Sequence, residues 1–279
     1  MEREGKISVI VLTYHSELTV EETLDSIRAQ TFRDYEIIVA DDASKDHTVE
    51  RVERWISSHK EIAAQLICSE VNRGIPHNCN LGIYHASGKL IKILAGDDIL
   101  QPNALEDYYK AYILSDEKCI IQAKSKAFGK KKENVSRQDM HFEHCYKLLE
   151  SINREEQLQA LLKEYYLITP SIGLIEKRIF VELECFDERF PMLEDYPFYL
   201  KLLEMDYYVT LIDKTLVDYR VSDSSVSGNL SKKYARSLTS FFFQVKQKKL
   251  FHKAMYIELA HQFIFYSYIY LKYCLFRSR

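Results

Sequence analysis

Three acidic pairs carry the residue types best suited to chemistry: Asp41-Asp42, Asp97-Asp98 and Glu194-Asp195. Neighbouring carboxylates repel one another, and burying them is costly unless a cation or hydrogen-bond donors compensate. A divalent ion such as Mg²⁺ or Mn²⁺ gives that compensation, typically through one or two protein carboxylates plus substrate phosphates. A carboxylate beside a hydroxyl can also take its proton as a new bond forms. Each pair alone has a plainer reading. Asp97-Asp98 could be an exposed turn leading into a helix near Pro102. Asp41-Asp42, with Ala43, Ser44 and Asp46, could be a strand-to-helix turn, and its polar atoms equally suit a nucleobase edge or a ribose. Asp195 could cap the helix expected from Tyr196. His77, His85, His141 and His144 have no partners at ligand spacing and read as ordinary core or surface residues.

The elements around these pairs give them a common place. Lys6–Leu12, Tyr35–Ala40, Gln65–Cys68 and Lys89–Leu94 are short apolar runs that predict strands. Between them, Thr19–Gln30, Thr48–Ser57 and His77–Ala86 have helical character, and Ala104–Leu114 follows as another helix. Strands and helices alternating at this spacing predict an α/β fold with a mostly parallel, Rossmann-like sheet flanked by helices. Ligands of such sheets bind beyond the carboxyl ends of the strands, where Asp41-Asp42 and Asp97-Asp98 fall. After Cys119 the pattern loosens. Lys124–Arg137 is lysine-rich and is expected to be a mobile loop. Beyond it lie a helix at Arg154–Lys163, a strand at Ile172–Glu176, a helix at Tyr196–Met205, and short strands at Val209–Ile212 and Thr215–Tyr219.

Taken in order, these segments resemble glycosyltransferases of family 2 with the GT-A fold. The resemblance runs from Ile7-Ser8-Val9-Ile10-Val11-Leu12-Thr13-Tyr14 through Ser26-Ile27-Arg28-Ala29-Gln30-Thr31-Phe32 to Tyr35–Asp46. It continues at Asn72-Arg73-Gly74, Asn80-Leu81-Gly82-Ile83, Ala86-Ser87-Gly88 and Leu94-Ala95-Gly96-Asp97-Asp98. It returns at Phe186-Asp187-Glu188-Arg189-Phe190, Glu194-Asp195, Tyr219-Arg220-Val221 and Ser225-Val226-Ser227, and so covers roughly residues 6 to 228. The resemblance implies an inverting transfer of a sugar from a nucleotide-sugar donor, a UDP-sugar by analogy, to a hydroxyl of a glycan or lipid-linked acceptor. By the same resemblance, Leu12, Thr13 and Tyr14 belong to the donor site, with Tyr14 stacking on the base and Asp42 bonding to its edge. Asp97 would contact the ribose side, and Asp98 would hold the Mn²⁺ or Mg²⁺ that bridges the diphosphate. Arg220 would lie near the phosphates, and Asp195 would be the general base. Two positions depart from the pattern. Cys79 stands where many relatives have Arg, which leaves Arg73 to make that donor contact. Ala43 stands where Gly is common, so this turn must avoid a left-handed backbone or tolerate strain.

Composition narrows the remaining classes. The 279 residues, 47% of them hydrophobic, suit one globular catalytic domain over 1–229 with a tail from 230 to 279. Within that domain, 1–115 is expected to bind nucleotide and 116–229 to shape the acceptor side. Six scattered cysteines without a CxxC pair, and a charged N-terminus running into a strand, suit a cytoplasmic protein. The tail has ten Lys or Arg against the one acid Glu258, about +9 where the remainder is about −12. It is rich in aromatics, so it is expected to be helical and either to lie on a membrane surface, to cap the acidic body, or to form a homodimer face. Leu12-Thr13-Tyr14-His15-Ser16 contains neither Gly nor Lys, which argues against a nucleotidyltransferase and a dinucleotide-binding dehydrogenase. The tail has no recognition module, which argues against nucleic-acid binding. A non-catalytic nucleotide-sugar-binding scaffold would be favoured by loss of Asp98 or Asp195, and both are present.

Overall fold

The computed structural model describes residues 5–149, 153–163, 173–221 and 231–275. Its first half follows the alternation closely: β1 (Ile7–Thr13), α1 (Val20–Arg28), β2 (Tyr35–Asp41), α2 (Thr48–Ser58), β3 (Ala64–Cys68), α3 (Ile75–His85) and β4 (Leu90–Ala95). Strands β1 to β4 lie in the order β3-β2-β1-β4, all parallel. Every side chain of β2 is buried, as expected for a strand covered on both faces.

The second half is mixed. It comprises β5 (Ile99–Leu100), α4 (Ala104–Leu114), β6 (Cys119–Gly129), α5 (Lys132–Leu149), α6 (Arg154–Lys163), β7 (Leu174–Glu176), α7 (Lys177–Glu182), α8 (Asp195–Glu204) and β8 (Tyr208–Val221). The sheet continues from β4 as β7-β6-β8-β5, with β7 antiparallel to both neighbours, β6 parallel to β8, and β5 antiparallel to β8. The sheet is therefore parallel on its amino-terminal side and mixed beyond β4.

The loop expected at Lys124–Arg137 is instead the end of β6 and the start of α5. From Lys124 to Phe128 the side chains alternate, with Ser125 and Ala127 buried and Lys124, Lys126 and Phe128 more open. Lysines at every second position are the outer face of a strand, and their density hid a period of two. Asp139 of α5 accepts the Ala127 amide at 2.8 Å, and Tyr146 receives the Ser125 amide at 2.5 Å, so the helix folds back onto the strand. The two short strands expected at Val209–Ile212 and Thr215–Tyr219 are one strand with a bulge opposite Ala123–Ser125. Ile172 of the expected Ile172–Glu176 strand lies outside the described residues, as do Ser225-Val226-Ser227.

The tail forms α9 (Lys232–Phe241), a π-helical turn at Phe242–Lys246, α10 (Gln247–His252), α11 (Tyr256–Ile269) and a second π-helical turn at Tyr270–Leu275. Ala235, Leu238, Phe241, Phe242, Leu250, Tyr266 and Ile269 join the same core cluster as α8. Among the described residues, no helix is long and apolar enough to cross a membrane.

One buried carboxylate ties the amino-terminal sheet together. Glu36 on β2 accepts Ser8 Oγ at 2.5 Å, Lys6 Nζ at 2.9 Å and the Ser87 amide at 2.7 Å. Burial alone would raise its pKa, but these donors outweigh burial and bring it to about 2. Its stabilising contribution is therefore complete above the unfolded-state value and is lost as pH falls towards 2. Glu36→Ala should destabilise the fold by about 3 kcal/mol at neutral pH, because it strands several buried donors. Urea denaturation at pH 7 and pH 3 checks this, and the difference between variant and wild type should shrink at the lower pH.

Candidate active site

The carboxyl ends of β1, β2 and β4 meet through backbone bonds. Asp42 donates its amide to Thr13 O at 3.0 Å, and Gly96 donates its amide to Leu12 O at 2.8 Å. A side chain at Gly96 would bring its Cβ within 2.8 Å of Thr13 Cγ2 and 2.9 Å of Leu12 O, so Gly lets the Asp97-Asp98 turn press against β1. Beyond Thr13, Tyr14 is half exposed and stacks on His15, with ring centroids 4.1 Å apart. This is an open aromatic face at the strand end.

The two members of each acidic pair do different work. Asp41 is wholly buried and accepts Thr13 Oγ1 at 2.8 Å, Ser44 Oγ at 2.6 Å and the Ser44 amide at 2.8 Å. Its oxygens hold the turn. Asp42 accepts the amides of Arg73 and Gly74, both at 2.8 Å, and so clamps the loop that opens α3. Gly74 has φ +100°, and a Cβ there would lie 2.2 Å from Pro191 O, so the close approach of this loop to the segment before Asp195 requires glycine. Ile75 donates its amide to the same Pro191 oxygen at 3.0 Å. Asn78, which nothing in the sequence singled out, donates to Ala40 O at 2.7 Å, and its own buried oxygen has no partner.

Ala43 settles the choice its sequence left open, because its φ is +63° and the turn tolerates the strain. Ala43→Gly should therefore stabilise the protein by about 1 kcal/mol, read as a rise in the urea midpoint at unchanged slope. An unchanged or lower midpoint would show that the strain is absent.

Asp98 is buried at the end of β4 with one oxygen 2.9 Å from the Arg220 amide and the other without a hydrogen-bond partner among the described residues. Burial and the neighbouring Asp97 push its pKa well above the carboxylate range, and burial raises Asp97 as well. Behind the pair, Lys92 is fully buried in mid-β4, with its ammonium 5.2 Å from the Tyr108 ring centroid. Burial lowers the Lys92 pKa to about 7, against the opposing pull of Asp98. An unpartnered buried carboxylate oxygen beside a second carboxylate fits a divalent cation. Among the described residues no group of three or more His, Cys, Asp or Glu could hold a metal, so most of the coordination would have to come from phosphates and water.

Arg220, at the end of β8, locks this turn. Its Nε donates to Asp97 O at 2.7 Å, its guanidinium lies 4.4 Å from the Phe128 ring centroid, and one of its two terminal nitrogens pairs with Glu22. Asp218, two residues earlier on β8, accepts Gln101 Nε2 at 2.8 Å. Arg73 is half exposed and pairs with Glu188 at 3.0 Å. Glu188 also faces His77 at 3.2 Å and accepts Asn80 at 3.0 Å. Cys79 is fully buried near Glu194 and Asp195, so it offers no surface to a ligand.

Asp195 opens α8, buried, and accepts the Tyr196 amide at 2.6 Å. Burial and Glu194 raise its pKa well above the usual range, and burial pushes Glu194 up to about 7. The pair therefore holds a proton near neutrality, which suits acid–base work. Thr13, Asp42 and Arg73 are thus joined by hydrogen bonds, as are Asp97, Asp98 and Arg220, and the two sets meet where Gly96 donates to Leu12 O. Asp195 reaches them through the Gly74–Pro191 contact.

The comparisons agree with this architecture. The family model described as glycosyl transferase family 2 matches residues 8–183, and the chain belongs to that family of transferase enzymes. An uncharacterized glycosyltransferase of Methanocaldococcus jannaschii is 26% identical over 253 residues, covering 90% of this chain and 83% of that protein. Glycosyltransferase GlyA of Streptococcus pneumoniae is 25% identical over 237 residues, 84% of this chain but 33% of the relative. The chain thus spans most of the first protein and about a third of the second. Two solved GT-A structures share the fold at 19% identity. Staphylococcus aureus TarS 1-349 in complex with UDP-GlcNAc has a TM-score of 0.65 and covers 87% of this chain and 66% of its own. The mannosyltransferase PcManGT of Pyrobaculum calidifontis in complex with GDP-Man and Mn²⁺ has a TM-score of 0.63 and covers 86% and 64%.

Proposed function

We propose that this chain transfers a sugar from a nucleotide diphosphate sugar, a UDP-sugar first among the candidates, to a hydroxyl of a growing glycan or a lipid-linked acceptor on the cytoplasmic side of a membrane. The observation that carries this reading is the unpartnered, buried oxygen of Asp98 beside Asp97, in a turn held by Arg220. In this reading Tyr14 offers its ring to the base, Asp42 fixes the loop that flanks the base edge, and Asp97 faces the ribose. Asp98 would hold Mn²⁺ or Mg²⁺, which when bound neutralises charge developing on the leaving diphosphate. Support for a metal also comes from the mannosyltransferase neighbour, whose structure contains Mn²⁺. Arg220 steadies the carboxylate turn, and one of its two terminal nitrogens is already engaged by Glu22.

Asp195 takes the proton of the acceptor hydroxyl as its oxygen bonds to the anomeric carbon. The bond from that carbon to the diphosphate breaks in the same displacement, and a single base without a protein nucleophile inverts the anomeric centre. Incubating the protein with Mn²⁺, a panel of UDP-, dTDP- and GDP-sugars and lipid-linked or glycan acceptors tests the proposal. Product mass reports transfer, and the anomeric proton coupling reports inversion. A product that retains the donor configuration would overturn the direct displacement.

A further inference from the structure

Helix α11 is apolar on both sides, and among the described residues only one side has a partner. Its inward face contributes Tyr266 and Ile269 to the core, where Tyr266 stacks on Phe242 with centroids 4.4 Å apart. Gln262 on that face donates to the carbonyls of Leu162 and Lys163 at the end of α6. The tail is thereby fixed to the body, and Lys246 strengthens the join with its buried ammonium 4.8 Å from the Tyr196 ring centroid. The outward face carries Tyr256, Ile257, Ile264, Phe265 and Tyr268, all more than half exposed, and Phe251 extends it from α10. An amphipathic surface helix normally turns polar residues to water, so this exposed face needs a covering partner.

We propose that the outward face of α11, with Phe251 before it and the π-helical turn after it, docks onto an anionic lipid bilayer. Charge selects this occupant. Of the ten Lys or Arg from residue 230 onward, Lys246 is buried and Lys249 and Lys253 pair with Glu204 and Glu155 of the body, while the one acid, Glu258, is half buried. Lys248 of α10 and Lys272 of the second π-helical turn are exposed, and neither has an ion pair among the described residues. The Lys272 ammonium lies 5.0 Å and 5.7 Å from the ring centroids of Tyr273 and Tyr268, an arrangement of aromatic bodies and cationic tips suited to head groups. A second copy of the chain would set this basic face against itself, whereas anionic head groups complement it. The twenty residues from Tyr256 to Leu275 form a rod about 30 Å long that lies along the surface rather than crossing it. Docking here rests on the tail alone and does not depend on the transferase reading.

Co-sedimentation of the full chain with phosphatidylcholine vesicles, with and without phosphatidylglycerol, tests the proposal in the absence of any donor. The expected result is binding to the anionic vesicles that weakens with added salt and is much weaker on neutral ones. Ile264→Asp with Phe265→Asp, at exposed positions, should lower partitioning by about tenfold or more at an unchanged circular dichroism spectrum. Lys248→Glu with Lys272→Glu should do so as well and should flatten the salt dependence. No binding of the wild type, or equal partitioning of wild type and both variants, would overturn the proposal. So would a wild-type dimer in sedimentation equilibrium that the Ile264→Asp, Phe265→Asp variant dissociates, because a second copy would then cover the face.

Discussion

Replacing Asp195 by Asn should lower kcat by about a thousandfold while leaving nucleotide binding nearly unchanged. The amide keeps the shape of the side chain and can still accept the Tyr196 amide, but it cannot take a proton. The wild-type pH profile should carry the same signature. Because burial raises both Asp195 and Glu194, the base keeps its proton well above the ordinary carboxylate range, and rate should fall as pH is lowered and Asp195 becomes protonated. Stability should move the other way. A carboxyl whose folded pKa is raised binds more protons folded than unfolded, so this pair stabilises the fold increasingly as pH falls from about 7 towards the ordinary carboxylate range. Asp195→Asn should flatten that stability trend and abolish turnover together. Wild-type turnover in the variant would remove Asp195 from the chemistry.

The second large effect concerns Asp98. Asp98→Asn keeps the acceptor for the Arg220 amide but removes the charge on the buried oxygen that has no partner. Turnover with a nucleotide-sugar should fall by about a hundredfold or more. The metal-free variant should nevertheless unfold at no lower temperature than wild type, because a neutral amide replaces a buried carboxylate repelled by Asp97. Adding Mn²⁺ with UDP should raise the wild-type Tm and leave the variant where it was. A variant that loses stability yet keeps the Mn²⁺-dependent rise would mean that Asp98 is a structural residue.

The parallel half of the sheet was legible because β1, β2 and β4 are covered on both faces and read as largely apolar runs between helices, as at Ile37–Ala40. Beyond Cys119 the strands alternate or bulge. Lys124 and Lys126 therefore read as loop, and the exposed Asp213-Lys214 step divided β8 on paper though not in space. The site shows the same division. Asp42, Asp97, Asp98 and Asp195 stand out by residue type, since paired carboxylates at strand and helix ends have few uses.

What they touch was not legible, because it depends on pairings between distant segments. Arg220 reaches Asp98 through its own backbone amide and Asp97 through a carbonyl, across more than a hundred residues of chain. Its ionic partner Glu22 is an unremarkable member of the first turn of α1. The sequence could not show that Arg73, expected to make the contact of the arginine missing at Cys79, pairs with Glu188 in a cluster with His77 and Asn80. The apolar outer face of α11 likewise emerged only once the inward face had been assigned, since its sequence is apolar all round.

Calorimetric titration of UDP into the protein, with and without Mn²⁺, tests the carboxylate-centred donor site most directly. The account predicts that binding requires Mn²⁺ and disappears in Asp98→Ala. Binding that is indifferent to both Mn²⁺ and Asp98, or silence with UDP, dTDP and GDP alike, would contradict it.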